Sequence, residues 1–344
     1  MPPEQWECTM VRAIEAGLPR SLGMAARALG LPEDKQKDVH GKQLINLFCK
    51  PVTPSLLNYG SIWNGPQSHP EEWQEFMEYC RQDVVVEAAI RRCTPNIDPA
   101  EQRLWEIDQE INDRGVLIDR RLAENACMIN DVLRGNLMTR AQEITGLSNP
   151  NSRAQMLSWI NSKSRRQYTT LRKDDLPVIL EETKSEEIRE VIYIRSQLAK
   201  ASVAKFEAML TGANFDGRAR GLTRFYGAEA TGRWSGQRIQ LQNLKRNNMS
   251  DAELDAARAL VEGGSAYNFI YAYSDPADTL GQLVRTALIP KSGCRFIVSD
   301  FSAIEARVLA WLAGEEWRLE VFRSGGMLYD RERPGWPLVP LMMF

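Results

Sequence analysis

The run from Arg295 to Leu312 constrains this chain most, because it calls for a strand and a helix in immediate succession. Arg295 to Asp300 is short, apolar and β-branched, which predicts a strand. Ser302 then opens a helical pattern. Ser302 and Glu305 have capping-box spacing, Ile304, Val308, Trp311 and Leu312 form the apolar stripe, and Gly314 suits the C-terminus. Combined with the helical periodicity that dominates the rest of the chain, this gives an α+β class. Asp300 falls at the strand's end and Glu305 on the first turn of the helix. Two-metal phosphoryl transfer needs carboxylates at such strand ends, and magnesium takes hard oxygen ligands, backbone carbonyls included. On spacing alone, a turn aspartate and a helix cap account for both residues.

Helical segments run from Trp6 to Leu31, interrupted at Gly17-Leu18-Pro19 and closed by Gly30-Leu31-Pro32. After Leu44–Phe48 and a loop rich in Pro, Asn and Gly, a clear helix is expected. Ser68 and Glu71 have capping-box spacing, and Trp73, Phe76, Met77, Cys80, Val84 and Ala88 form its apolar stripe. Cys93-Thr94-Pro95-Asn96-Ile97-Asp98-Pro99 reads as a domain boundary. Mostly helical sequence follows to about Leu210, ending in one long amphipathic helix over Ser185–Leu210. Residues 327–344 hold three prolines and close on an apolar run, unlike a folded element.

With 344 residues and 43% hydrophobic content, the chain can build two or three domains with real cores. Its net charge of −2 names no partner, so any nucleic-acid surface must arise from local clustering. Such a cluster exists. Between Arg218 and Met249 stand seven basic residues (Arg218, Arg220, Arg224, Arg233, Arg238, Lys245 and Arg246) against the one acid Glu229, with Phe225, Tyr226 and Trp234 interleaved. That suits a phosphate backbone, and on charge alone it equally suits a solvated basic face. The six cysteines are scattered and only His40 and His69 accompany them, which argues against a zinc site and a disulfide scaffold. No apolar run approaches a membrane span and the N-terminus lacks signal character, so a cytoplasmic, reduced protein is expected.

The segment Phe296–Leu312 closely resembles the first catalytic motif of family A DNA polymerases, the DNA polymerase I type, and Arg285–Pro290 resembles the stretch leading into it. The resemblance implies that Asp300 ligates catalytic Mg2+ with the Phe301 carbonyl as a further ligand, and that Glu305 lies beneath the sugar of the incoming nucleotide. Thr231-Gly232-Arg233-Trp234-Ser235-Gly236, followed by Gln240-Leu241-Gln242-Asn243-Leu244, resembles the segment with which this family touches the primer–template minor groove. It implies DNA contacts from Arg233, Arg238, Gln240, Gln242, Asn243 and Lys245. Asn149–Ser152 with Gln155–Leu157, and Leu198–Lys205, resemble the family's thumb, where Lys200 and Lys205 would meet phosphates.

Tyr79 and Asp83 lie four apart on one helix face, a spacing that coincidence readily supplies. In context, Tyr79–Val84 resembles the third motif of 3′–5′ proofreading exonucleases, which implies a metal-binding role for Asp83. The resemblance runs from about Trp6 to Gly326. It implies an incomplete ribonuclease H-like exonuclease region over 1–94, a helical thumb-like region over 95–212, a partial palm over 213–326 and an unrelated tail over 327–344. The earlier exonuclease carboxylates, the fingers helix and the later palm carboxylates have no match in the chain. The Mg2+ site is therefore expected to be incomplete, and catalysis to need a complementing polymerase fragment. Primer–template DNA and deoxynucleoside triphosphates are the partners of the parent family. A non-catalytic duplex-binding module, or a truncated product without function, is the alternative.

Overall fold

In the computed structural model, residues 2–31, 41–172, 175–200, 203–228 and 231–325 are described, and the expected unrelated tail over 327–344 lies outside them. The chain divides into two compact units, Met1–Pro290 and Lys291–Phe344. Among the described residues no helix is long and apolar enough to cross a membrane.

The first unit begins with α1 (Thr9–Glu15), α2 (Leu22–Ala28), α3 (Gly41–Phe48) and the long α4 (Pro70–Cys93). Pro70 occupies the first turn of α4 and His69 is its N-cap, so the helix starts without the expected Ser68–Glu71 box. Ser68 is spent on the loop instead: its hydroxyl accepts from Gly65 N–H at 3.0 Å and donates to Gly65 C=O at 3.1 Å. The buried face of α4 is also rotated from the expected stripe. Tyr79, Val86, Ala89 and Ile90 are buried, whereas Met77 and Val84 are 47% and 64% exposed. The cause is that two different neighbours share the helix. Leu44 and Phe48 of α3 pack on Tyr79, while Ala13, Ala25 and Ala26 of α1 and α2 close on Val86 and Ile90.

The break at 93–99 separates α4 from α5 (Pro99–Arg114), whose start is capped by Asp98 accepting from Ala100 N–H at 2.8 Å. Next come β1 (Val116–Ile118) and α6 (Arg120–Thr145), then α7 (Arg153–Lys163), α8 (Leu176–Glu182), α9 (Glu186–Leu198) and α10 (Ala204–Gly212). The single helix expected over 185–210 is thus two. Ser185 caps α9 as its position suggests, accepting from Ile188 N–H. The two parts then serve different cores. Ile194 and Leu198 pack with Ala141 of α6, but Phe206 and Met209 of α10 enter the main cluster with Leu122, Ala126 and Ile129.

That main cluster also takes in α11 (Asp251–Glu262), α12 (Ala266–Ala272) and α13 (Pro276–Leu283) through Ala257, Phe269 and Leu280. At its edge lies a small antiparallel sheet, with β1 flanked by β2 (Arg218–Ala219) and β5 (Leu288–Ile289); Leu117 is opposite both Arg218 and Ile289. The hairpin of β3 (Thr223–Ala228) and β4 (Arg233–Gly236) forms the second sheet.

The second unit comprises α14 (Ile304–Leu312) and α15 (Glu316–Arg323), with Ala310, Val321 and Phe322 buried and Arg307 over the Phe322 ring at 4.4 Å. The strand expected over 295–300 is absent: the segment pairs with no strand among the described residues, and Ile297 and Val298 are 86% and 91% exposed. A strand needs a neighbour to satisfy its backbone, and none is described. The Ser302–Glu305 box is also replaced, because Ala303 in a left-handed conformation (φ 51°) is the N-cap and no side chain caps the helix. The stripe of Ile304, Val308, Trp311 and Leu312 remains largely exposed.

Candidate nucleic-acid interface

The β3–β4 hairpin carries the sequence-predicted interface, and its shape comes from an irregular register. Arg224 is opposite Ser235 and Ala228 opposite Arg233, so four steps along β3 match two along β4. The surplus forms a bulge that holds Tyr226 at φ 48°. One face of the hairpin is spent on packing. Phe225 is buried with Val11 and Ile97, and the Trp234 ring meets it edge-on at 5.8 Å. The Tyr226 hydroxyl donates to Glu101 at 2.6 Å, and burial together with that carboxylate pushes its pKa up. The three aromatic residues interleaved with the basic ones therefore belong to a core, not to a base-stacking surface.

Helix α5 anchors the hairpin through Asp108, which is 2% exposed. Its carboxylate accepts from the Thr223 hydroxyl at 2.6 Å and from the Asn112 and Gln109 amides, both at 3.1 Å. Asn112 also accepts from Thr223 N–H at 3.0 Å and donates to Thr223 C=O at 3.1 Å. A buried carboxylate with three donors is satisfied, so it holds position at little cost.

The chain leaving β4 is pinned just as closely. Gln237 N–H donates to Leu222 C=O at 2.8 Å, and its side chain donates to Thr223 C=O and accepts from Arg224. Arg238 and Gln240 then both adopt left-handed backbone, at φ 52° and 54°, on either side of Ile239, which is fully buried. Each such residue costs about 1–2 kcal/mol. Lys205 donates to Ile239 C=O at 3.0 Å and helps hold the conformation. The result is an alternation: Ile239 goes inward, while Arg238 and Gln240 are exposed, followed by exposed Gln242 and Asn243 around the short 3-10 turn Leu241–Asn243. Gln240 accepts from the Asn243 amide at 3.3 Å.

The basic cluster divides into two groups. Arg218 donates to the carbonyls of Arg114 and Gly115, Arg220 grips Asp216 with two hydrogen bonds, and Arg224 holds Gln237. Lys245 is ion-paired with Asp278 and Lys200 with Asp275, so with Lys205 all three candidate phosphate-binding lysines are engaged within the protein. Arg233, Arg238 and Arg246 are exposed. Asp216 lies within the same stretch as Arg220, but the partners of Arg218, Lys200 and Lys245 come from helices distant in sequence, so spacing does not separate the groups.

The two ion pairs make a pH prediction. Burial raises the pKa of Asp275 and Asp278, but hydrogen bonds from Lys200 and Gln197, and from Lys245 and Gln282, more than offset it and hold both carboxyls below the ordinary 3.8. A lowered folded-state pKa contributes stability that is present above the unfolded value and lost as pH falls through the folded one. Urea midpoints are therefore expected to drop more between about pH 5 and pH 3 in the native chain than in a Lys200→Met/Lys245→Met variant. Equal drops would contradict the pairing.

The other candidate residues are placed less suggestively. Tyr79 is 5% exposed and stacked on Phe76 at 6.3 Å between ring centroids, turned into the α3–α4 core, and Asp83 is half-buried one turn on. In the second unit Asp300 and Phe301 lie on the exposed extended segment and Glu305 on the first turn of α14, also exposed. Among the described residues no three His, Cys, Asp or Glu side chains come together as a metal site. One carboxylate does not fit a two-cation centre, and no catalytic step follows from these residues as placed. All six cysteines are free thiols, and burial pushes Cys127 up to about 11.

Comparison with known proteins gives a clear relative. Over 330 residues, 95% of this chain, the sequence is 46% identical to a DNA polymerase of Bacillus phage SP02, and the chain spans half the length of that relative. No family model matches the chain. The similarity supports a DNA polymerase origin.

Proposed function

We propose that this chain is the DNA-holding part of a family A DNA polymerase, gripping duplex or primer–template DNA through the β3–β4 hairpin and the turn that follows it. The observation that carries the reading is the strained pair Arg238 and Gln240 about buried Ile239. Left-handed arginine and glutamine persist only where surrounding structure over-determines them, and such sites cluster where function needs a fixed geometry. Here the strain lines up one guanidinium and three amides on the surface. Arg233 and Arg238 suit phosphates, while Gln240, Gln242 and Asn243 suit the minor-groove acceptors that every base pair offers, so the contact is independent of sequence. The similarity to a phage DNA polymerase makes DNA the natural ligand.

In this reading residues 1–94 form an exonuclease-like region with Tyr79 and Asp83, 95–212 a thumb-like region, and 213–326 part of a palm. Mg2+ at Asp300 and Phe301, and a deoxynucleoside triphosphate above Glu305, belong to the reading only with a complementing polymerase segment that brings further carboxylates. The exposed 296–301 segment and the open face of α14 are where such a segment would pack. A non-catalytic DNA-binding role is the second reading, favoured by the fact that among the described residues Asp300 is not part of any group of three metal-ligating side chains.

Arg238→Ala should weaken binding to all duplex sequences about equally and reduce the salt slope by about one. Lys245→Ala should leave that slope unchanged, because its ammonium is held by Asp278. Fluorescence anisotropy with labelled duplexes reads both. An Arg238→Ala variant that binds like the native chain would remove the proposed interface.

A further inference from the structure

Between β4 and α11 the chain has little regular structure of its own, so its backbone polar groups must find partners elsewhere. Two anchors bracket the stretch that faces solvent: Ile239 is fully buried and Leu244 is 5% exposed, with Gln240, Gln242 and Asn243 exposed between them. The carbonyls of those same two anchors are each taken by a cation from elsewhere in the chain. Lys205 of α10 donates to Ile239 C=O at 3.0 Å. Arg285, in the 3-10 turn Val284–Ala287, donates to Leu244 C=O and to Lys245 C=O, both at 2.8 Å. Gln282 of α13, 9% exposed, continues the brace: its side-chain oxygen accepts from Asn248 N–H at 2.8 Å and from Met249 N–H at 3.2 Å. Its amide donates at 3.0 Å to Asp278, the carboxylate that also pairs with Lys245.

We propose that Lys205, Gln282 and Arg285 are positioning residues for DNA binding: they fix the backbone that presents Arg238, Gln240, Gln242 and Asn243, and they do so without touching DNA. The inference rests on the DNA-binding reading of this turn and names what organises it in advance. A loop that orders only on contact loses its conformational entropy at that moment, and affinity falls accordingly. Here side chains order the loop beforehand. Hydrogen bonds from charged donors are the strong ones, which suits a segment that holds Arg238 and Gln240 in left-handed backbone. Arg285 also spans two consecutive carbonyls with its fork, a geometry that an ammonium does not reproduce. For Lys205 this role differs from a phosphate contact, which the ammonium would make only by giving up Ile239 C=O.

The test uses the whole chain, a labelled duplex over a salt series, and amide hydrogen exchange of the free chain. Lys205→Met should weaken binding to every duplex by about three- to tenfold and leave the slope of log K against log salt at its native value. Loss of a phosphate contact would instead make that slope shallower by about 0.9. Arg285→Met should behave like Lys205→Met, and Arg285→Lys should recover only part of the affinity. Arg285 is exposed, so its variants carry the test should Lys205→Met not fold. Without DNA, amides over 238–249 should exchange faster in both methionine variants than in the native chain, while those of α4 keep native rates and report an intact fold. A shallower slope for Lys205→Met, full recovery in Arg285→Lys, or native exchange over 238–249 in the variants would overturn the proposal. A native chain that does not bind duplex would remove the DNA reading as well, whereas unchanged exchange removes the positioning role alone, so the two failures are distinguishable.

Discussion

Arg12→Ala is expected to cost about 3 kcal/mol of folding stability, the low end for breaking a buried ion pair. Arg12 is 3% exposed, and its guanidinium gathers the start of the chain onto the end of α4. It pairs with Glu7 and donates to the Asn96 side chain at 3.1 Å, to Thr94 C=O at 2.6 Å and to Arg91 C=O at 3.1 Å. Removing it leaves the buried Thr94 carbonyl and the partly buried acceptors of Glu7, Asn96 and Arg91 without their shared donor, at a desolvation cost greatest for Thr94. Glu7→Gln should cost less, about 1 kcal/mol, because the amide still accepts hydrogen bonds. The Glu7 carboxyl is held below its ordinary value: burial works to raise it, but hydrogen bonds from Arg91 and Arg12 outweigh that effect. Arg12→Lys should fall between, because an ammonium cannot serve a fork of acceptors on several sides. Val11, the neighbour of Arg12, packs against Phe225, so loosening α1 should also loosen the hairpin. Urea unfolding measures all three variants, and an Arg12→Ala loss within about 0.5 kcal/mol, the range of an ordinary surface change, would contradict the account.

Gly227→Ala is expected to destabilise by about 2 kcal/mol and to impair DNA binding beyond its effect on folding. A Cβ at position 227 would lie 2.5 Å from Ser235 Cβ and 2.8 Å from Ser235 main-chain N. The obstacle includes backbone, so no rotamer change relieves it and the two strands must part. Because the register of β3 and β4 positions Arg233 and the chain leading to Arg238, that separation should displace the arginines that the interface depends on. Ser235→Gly removes the side-chain half of the clash and should rescue Gly227→Ala in part, a coupling that a double-mutant cycle measures. A neutral Gly227→Ala variant would mean the hairpin is looser than its geometry implies.

Much of the helical organisation is legible from periodicity, because α4, α5 and α6 are long enough for the helical repeat to show. The departures share a cause. The buried face of α4 turns away from the expected stripe because α3 claims its first half and α1 and α2 its second, a division no local pattern encodes. The helix over 185–210 divides as well, its two parts entering different cores, and no local pattern encodes that division. The strand over 295–300 has the right residues, but strand formation is decided by a pairing partner, not by propensity. At the candidate interface the cluster of arginines is visible in the sequence, yet their division into structural and exposed members is not. Arginine and glutamine give no signal of positive φ, so the pair around Ile239 emerges only in the fold. Buried Arg12 gives no local sign either, since a lone arginine is ordinarily solvated.

The central claim, that the turn beyond β4 holds a DNA backbone, is tested most directly by the salt dependence of duplex binding. Log K for the native chain should fall linearly with log salt, and Arg233→Ala/Arg238→Ala/Arg246→Ala should make the slope shallower by about 0.9 for each phosphate no longer neutralised. The same slope in both proteins, or an affinity that does not respond to salt, would contradict it.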